Sequence, residues 1–282
     1  MSKSAIRTRP EKIGGPRPFL RWPGGKRWAA PTIAKLIEPA LRCRYIEPFL
    51  GGGAVFFHLR PGRALLADLN SDLVETYVAI RDRPQEIVRI LEQWTASENT
   101  FYSLRGWKPT TPLERAARFL FLNRTSFAGI YRENRDGDYN VPFGGGARTH
   151  RILIDTDLLS LASEALNAVE LVNVDFEATL DRAGIGDVVY CDPPYPPSRR
   201  GGFERYNGRP FSWADHVRLS EAAHRAKSRG SLVIISNGTN PEIEELYADA
   251  DIRVLERGSQ VSRTVSGRGR VRELLFILQP TR

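Results

Sequence analysis

The chain has 282 residues, 41% of them hydrophobic and 10% aromatic, which is enough to bury a core and excludes a wholly disordered chain. Its formal net charge is +8; the cations are mostly arginine, so the excess fits a polyanionic partner or simply an arginine-rich composition. Cys43 and Cys191 sit in apolar strand-like runs, the four histidines form no cluster, and no stretch reaches the roughly 18 apolar residues of a membrane span, so a disulfide scaffold, a metal site and a membrane protein are excluded and a reduced, cytoplasmic protein is expected.

Met1–Pro16 is basic without an apolar centre and reads as a flexible start, not a secretory signal. Strands are predicted at Arg44–Ile46, Ala64–Ala67, Val169–Val174, Asp187–Cys191, Ser231–Ile235, Asp251–Leu255 and Val271–Leu278. Several are apolar throughout, the pattern of strands covered on both faces. Helical periodicity falls between them at Ala54–Leu59, Asp72–Ile80, Trp213–Arg229 and Pro241–Tyr247. That alternation predicts an α/β fold with a doubly wound, Rossmann-like mixed sheet of about seven strands. The segment 71–151 breaks the rhythm with helical patterns at Pro84–Trp94 and Pro112–Asn123, then the loop-like Arg132–Arg148. It reads as a small helical insertion in a domain formed by 1–70 and 152–282. The last two strands flank the polar loop Arg257–Arg270 and are expected to close the sheet as an antiparallel hairpin.

In chain order, Trp22-Pro23-Gly24-Gly25-Lys26 lacks the first glycine and the Ser/Thr of a phosphate-binding loop. A tryptophan beside a flexible basic loop suits a charged small molecule instead. Glu47-Pro48-Phe49-Leu50-Gly51-Gly52-Gly53 turns a strand into a helix, with glycines that permit positive φ and close approach of backbone to ligand. Asp68 ends the next strand 15 residues after Gly53, where a carboxylate can accept from two ribose hydroxyls or cap the following helix. Turn and acid together indicate a nucleoside-containing ligand without separating NAD from S-adenosylmethionine, although the absence of a clean G-x-G-x-x-G disfavours the dinucleotide.

Asp192-Pro193-Pro194-Tyr195 follows the buried strand Asp187–Cys191. Each proline fixes its own φ and restricts the residue before it, so the carbonyls there point in set directions. An exocyclic amino nitrogen is a poor nucleophile because its lone pair is delocalised into the ring. Two acceptors on its two N–H bonds favour a tetrahedral nitrogen, and the Asp192 carboxylate with the Pro193 carbonyl can supply them, while Tyr195 can stack on the base.

With these motifs in this order, the chain resembles the Dam-type DNA adenine-N6 methyltransferases of the D12 class, group α, over nearly its whole length. The resemblance implies the S-adenosylmethionine-dependent methyltransferase fold and transfer to N6 of adenine by a site-specific enzyme, with cytosine N4, RNA, or an idle DNA-binding relative as alternatives. It implies S-adenosylmethionine as cofactor, double-stranded DNA as partner, a monomer, and room for a cognate restriction endonuclease. It assigns Trp22, Gly25, Lys26, Glu47, Phe49, Gly51, Gly53, Asp68, Asn70, Asp175, Phe176 and Asp192 to the cofactor. The segment Leu122–Asn134 resembles the target-recognition region, placing Arg124, Phe127, Ile130, Arg132, Asn134 and Pro142 on DNA. Phe127 would wedge into the duplex and Arg132 would read a guanine, against the alternatives of a core aromatic and a solvated arginine. Ala128, Gly145 and Gly146 stand where the family carries larger polar or aromatic side chains, so recognition of GATC does not follow. The arginine-rich Ser198–Arg209 and Arg257, Arg263, Arg268 and Arg270 are further candidates to meet substrate or phosphates.

Overall fold

A computed structural model gives the architecture; it describes residues 5–7, 16–132, 134, 138–145, 156–196, 205–206, 209–258 and 270–281. The main sheet is built from β1 (Ala5–Arg7), β2 (Tyr45–Glu47), β3 (Ala64–Ala67), β4 (Val169–Val172), β5 (Val188–Cys191), β8 (Leu232–Gly238), β9 (Asp251–Gly258) and β10 (Arg270–Leu278), in the order β1-β9-β10-β8-β5-β2-β3-β4. Strands β2, β3, β4, β5 and β8 pair in parallel, and β10 runs antiparallel between β8 and β9. The two last strands therefore do pair antiparallel, as expected. The seven predicted strands are all present, shifted by a few residues at their ends. The eighth, β1, lies in the supposedly flexible start and pairs in parallel with β9. A separate two-stranded ribbon joins β6 (Arg205–Tyr206) to β7 (Arg209–Pro210). The remainder of Ser198–Arg209, and the side chains of Arg257, Arg263, Arg268 and Arg270, lie outside the described residues.

The doubly apolar strands bury both faces, as their sequences require. Tyr45, Leu66, Val188, Tyr190, Ile234 and Leu275 face one core layer; Ile46, Leu65, Val189, Cys191, Val233 and Phe276 face the other. The first layer is covered by α1 (Ala30–Ile37), α2 (Ala54–Leu59), α3 (Ser71–Asp82) and α7 (Thr156–Leu166), and the second by α8 (Phe176–Leu180), α9 (Trp213–Ser228) and α10 (Pro241–Leu246). Cys191 is buried at the end of β5, but Cys43 is exposed two residues before β2 begins, so only one cysteine sits in a strand as expected.

Between α3 and α7 stand α4 (Pro84–Glu92), α5 (Glu98–Gly106) and α6 (Pro112–Thr125). Thr111 and Glu114 form a reciprocal capping box that starts α6 behind Pro112. Near its other end Asn123, fully buried, accepts from the Arg21 amide at 2.9 Å and donates to the Arg21 carbonyl at 2.7 Å. One side-chain amide thus holds the loop that carries Trp22 and Lys26. Asn123→Ala leaves both backbone groups without that partner, and a loss of about 2–4 kcal/mol is expected. Urea titration followed by circular dichroism checks it; a loss below about 0.5 kcal/mol would show that the clamp contributes nothing.

Candidate active site

The strand order reverses between β2 and β5: the chain steps outward through β3 and β4, then returns to β5 beside β2. Ligands of open α/β sheets occupy the crevice at the carboxyl ends of the strands at such a switch point. A cavity of about 550 Å³ opens there, within the range of roughly 300–1,000 Å³ typical of cofactor sites. Its lining brings together Trp22, Gly25, Lys26, Glu47, Phe49, Gly51, Gly53, Asp68, Asp175, Phe176, Asp192, Pro193, Pro194 and Tyr195 from segments far apart in sequence.

The glycine turn is built around Asp68. Its Oδ2 accepts from the Gly51 amide at 2.9 Å and its Oδ1 from the Asn70 amide at 3.0 Å. Burial pushes its carboxyl up to about 6, partly offset by those N–H groups. Gly51 and Gly53 both sit at positive φ (46° and 62°), and a Cβ on Gly51 would come within 2.7 Å of the Trp22 ring. Conformation and packing therefore both demand glycine at Gly51. Trp22 continues the wall by stacking on Tyr131, centroids 5.6 Å apart. Glu47, buried, accepts from the Tyr45 hydroxyl at 2.9 Å, and burial with the nearby Asp192 and Asp68 carboxylates holds its own carboxyl well above the usual range.

On the other side of the crevice three aromatic rings meet. Phe49 stacks on Phe176 at 5.4 Å, and Phe211 packs edge-on to Phe49 at 5.8 Å. The Arg218 guanidinium lies 4.8 Å over Phe176 and donates to Asp175 Oδ1 at 2.8 Å. Asp175 also caps α8 by accepting from the Glu177 amide. Its carboxylate thus starts a helix while still facing the cavity.

At the end of β5 the Asp192 Oδ1 accepts from Ser236 Oγ at 2.7 Å and lies 2.9 Å from Lys26 Nζ. Lys26 is 4% exposed, and a second carboxylate, Glu273, stands 3.4 Å from it. Burial alone would push the Lys26 ammonium down; the Asp192 and Glu273 charges outweigh it and hold the group above its ordinary value. Among the described residues, Asp192 Oδ2 takes no hydrogen bond. Tyr195 has its hydroxyl on Glu273 Oε2 at 3.0 Å and its ring under Lys26, 4.8 Å from the ammonium.

Several expected site residues fall elsewhere. Asn70 does not line the cavity: its side chain accepts from the Leu73 amide and caps α3, which relieves Asp68 of that task. Arg124 is 6% exposed in the last turn of α6, so it presents no guanidinium at the surface for a polyanion. Phe127 is 59% exposed on a short 3₁₀ turn, which excludes the core-aromatic alternative. That turn is held by the Phe127 amide on the Pro142 carbonyl (2.9 Å) and the Gly144 amide on the Thr125 carbonyl (2.8 Å). Ile130 and Arg132 line the cavity mouth, and Arg132 donates to Asn140 Oδ1 at 2.7 Å. Asn134 closes a turn by accepting from the Asp138 amide at 2.9 Å, and Pro142 is exposed.

Phe211, Arg218, Ser236 and Glu273 were not singled out in the sequence. Glu273 carried a signal, an acid at an inward position directly before the apolar run Leu274–Leu278, and so did Ser236 at the end of the apolar Leu232–Ile235. Phe211 and Arg218 carried none: the first reads as an ordinary residue just before a capped helix, the second as an ordinary cation within it.

Residues 22–261 match the family model of D12 class N6 adenine-specific DNA methyltransferases. The chain is 36% identical over 270 residues to the Type II methyltransferase M1.LlaDCHI of Lactococcus lactis subsp. cremoris, covering 92% of this chain and 94% of that one. It is 33% identical over 272 residues to a DNA adenine methylase of Vibrio cholerae (94% and 96% covered) and 36% identical over 269 residues to that of Serratia marcescens (93% and 98%).

Proposed function

Because the chain belongs to the D12 class of N6 adenine-specific DNA methyltransferases, we propose that the cavity at the β2/β5 switch point binds S-adenosylmethionine and an adenine extruded from duplex DNA side by side. The observation that supports this is the meeting in one cavity of Asp68, the aromatic cluster and Asp192-Pro193-Pro194-Tyr195.

The residues fit that cofactor. The Gly51 and Asn70 N–H groups bond one Asp68 oxygen each, with the Leu69 N–H also stabilising the carboxylate, and the remaining acceptor capacity is available to the ribose hydroxyls. Phe49, Phe176 and Phe211 offer ring faces to a purine, and Asp175 an acceptor for its amino group. The Asp192 and Glu273 carboxylates against the single Lys26 leave a negative balance beside the site of a cationic donor. S-adenosylmethionine, when bound, supplies a methyl group on a positively charged sulfur.

The chain's own part is to bind and orient the amine. Asp192 Oδ2 and the Pro193 carbonyl hold the two N–H bonds of adenine N6, drawing the nitrogen towards a tetrahedral shape whose lone pair stands clear of the ring. Tyr195, pinned at its hydroxyl, offers a fixed face on which the base stacks. Once methylated, the amine has a proton to lose, and the Asp192 carboxylate already faces it. Within residues 71–151, α3 packs on the catalytic sheet, and the part that follows it serves target recognition, with Phe127 filling the gap that the departing base leaves and Arg132, steadied by Asn140, reading a neighbouring base edge.

Titration with S-adenosylmethionine in a calorimeter is expected to give one site per chain, and label from its methyl group is expected in N6-methyladenine of duplex DNA. No binding, or label confined to N4-methylcytosine or RNA, would overturn the reading. Phe127→Ala is expected to slow methylation of a duplex about tenfold, because unstacking a base costs a few kcal/mol. A duplex with the target adenine unpaired would be affected much less; equal slowing on both would remove the wedge role.

A further inference from the structure

Glu273 stands on β10 opposite Gly238 of β8. Strand alternation turns it to the same face as Leu275 and Ile277, where it reaches the cavity at 13% exposure. An acid on an inward strand face persists only when paired, and the pairing here is specific. Its Oε2 accepts from the Tyr195 hydroxyl at 3.0 Å and lies 3.4 Å from Lys26 Nζ. The Tyr195 ring centroid is 4.8 Å from that ammonium, and a Cβ on Gly238 would come 3.6 Å from ring Cδ2. Ser236 Oγ completes the cluster, donating to Asp192 Oδ1 at 2.7 Å and lying 3.4 Å from the Tyr195 hydroxyl oxygen, as an alternative acceptor for its one proton.

We propose that Glu273 is a positioning residue for methyl transfer, holding Lys26 at Asp192 Oδ1 and fixing the Tyr195 hydroxyl so that Asp192 Oδ2 stays open to the target amine. The proposal rests on the assignment of Asp192 as the amine's acceptor. One buried ammonium stands between two carboxylates, 2.9 Å from one and 3.4 Å from the other. Without the second carboxylate, only the neutral Gly24 carbonyl, 3.2 Å from Nζ, still draws the ammonium away from the rest of Asp192. The ammonium then settles across both oxygens and competes with the amine N–H for the Oδ2 lone pairs. The Tyr195 hydroxyl loses its charged acceptor at the same time, leaving only Ser236.

The test is single-turnover methylation of a DNA duplex at saturating S-adenosylmethionine, with cofactor affinity measured separately by calorimetry. Glu273→Gln is expected to slow the step about tenfold even at saturating cofactor, where any weakening of cofactor binding by the lost charge no longer counts, and Glu273→Asp to recover part of the rate. In a Lys26→Met background the same Glu273→Gln change is expected to cost no more than about threefold, because only its hold on the Tyr195 hydroxyl is then left to lose. A Glu273→Gln enzyme at the normal rate, or one slowed equally in both backgrounds, would overturn the proposal. Asp192→Ala run alongside separates the two readings. If that variant is inactive while Glu273→Gln is normal, only the role of Glu273 fails; if it stays active, the assignment of Asp192 fails.

Discussion

Asp192→Ala is expected to slow methyl transfer by roughly 10³-fold, the scale on which losing one preorganised polar group at a reacting centre is felt. The adenine amine has no intrinsic nucleophilicity to spare. Its lone pair becomes available only while both N–H bonds are held out of the ring plane, and Asp192 supplies the charged member of the acceptor pair. The fold is expected to survive. Asp192 is 20% exposed, and the Lys26 ammonium it leaves behind still has Glu273 at 3.4 Å and the Gly24 carbonyl at 3.2 Å. A buried charge stripped of every partner costs about 3–5 kcal/mol; one that keeps a carboxylate is expected to cost about 1–2 kcal/mol. Single-turnover transfer of labelled methyl to DNA, with thermal unfolding followed by circular dichroism, checks both halves. Retention of more than about a tenth of the rate by a folded variant would show that Asp192 is not the amine's acceptor.

Much of this arrangement was legible in the chain because the chemistry sits at strand ends. Glu47, Asp68 and Asp192 each end a parallel strand of a doubly wound sheet or follow directly on it, and parallel strands share one carboxyl edge by topology. Recognising the strands therefore placed the three acids together before any distance was known. The glycine turn was legible for a similar reason: a positive φ leaves a mark in residue type.

What stayed hidden was the part that depends on packing between distant segments. Asn70 and Asp68 are two residues apart and equally polar, and only the helix axis decides that Asn70 caps α3 while Asp68 faces the cavity. Arg124 reads as a surface cation because arginine usually is one; the face that α6 turns inward buries it. Glu273 belongs to an antiparallel strand, whose direction puts its early residues, not its late ones, at the active edge. A rule that looks for function at the carboxyl ends of strands passes over it.

The same carboxyl-edge logic gives Asp68 a pH signature. Asp68→Ala is expected to weaken S-adenosylmethionine binding roughly 10–100-fold, the worth of about 1.5–3 kcal/mol in hydrogen bonds to a charged acceptor. The wild-type affinity is expected to fall as the pH drops through about 6, where the buried carboxyl takes up its proton. The sign follows from what the ribose needs: an ionised carboxylate accepts from two hydroxyls, and a protonated one spends an oxygen as a donor. Below the midpoint the affinity drops by up to about tenfold per pH unit. Folding responds in the opposite sense. The carboxyl titrates near 3.9 in an unfolded chain and at about 6 in the native one, so between those values the native state holds more protons than the unfolded state. The contribution of this group to stability therefore declines as pH rises through that window, and above it the full cost of a buried charge is carried. Bound ribose hydroxyls offset part of that cost, so the pocket gains most from its ligand where Asp68 costs the empty fold most. Calorimetric titrations from about pH 5 to 8 on wild type and Asp68→Ala test the whole argument. The inflection near pH 6 is expected to vanish in the variant; an unchanged inflection, or a variant that binds within about twofold of wild type, would take the ribose role away from Asp68.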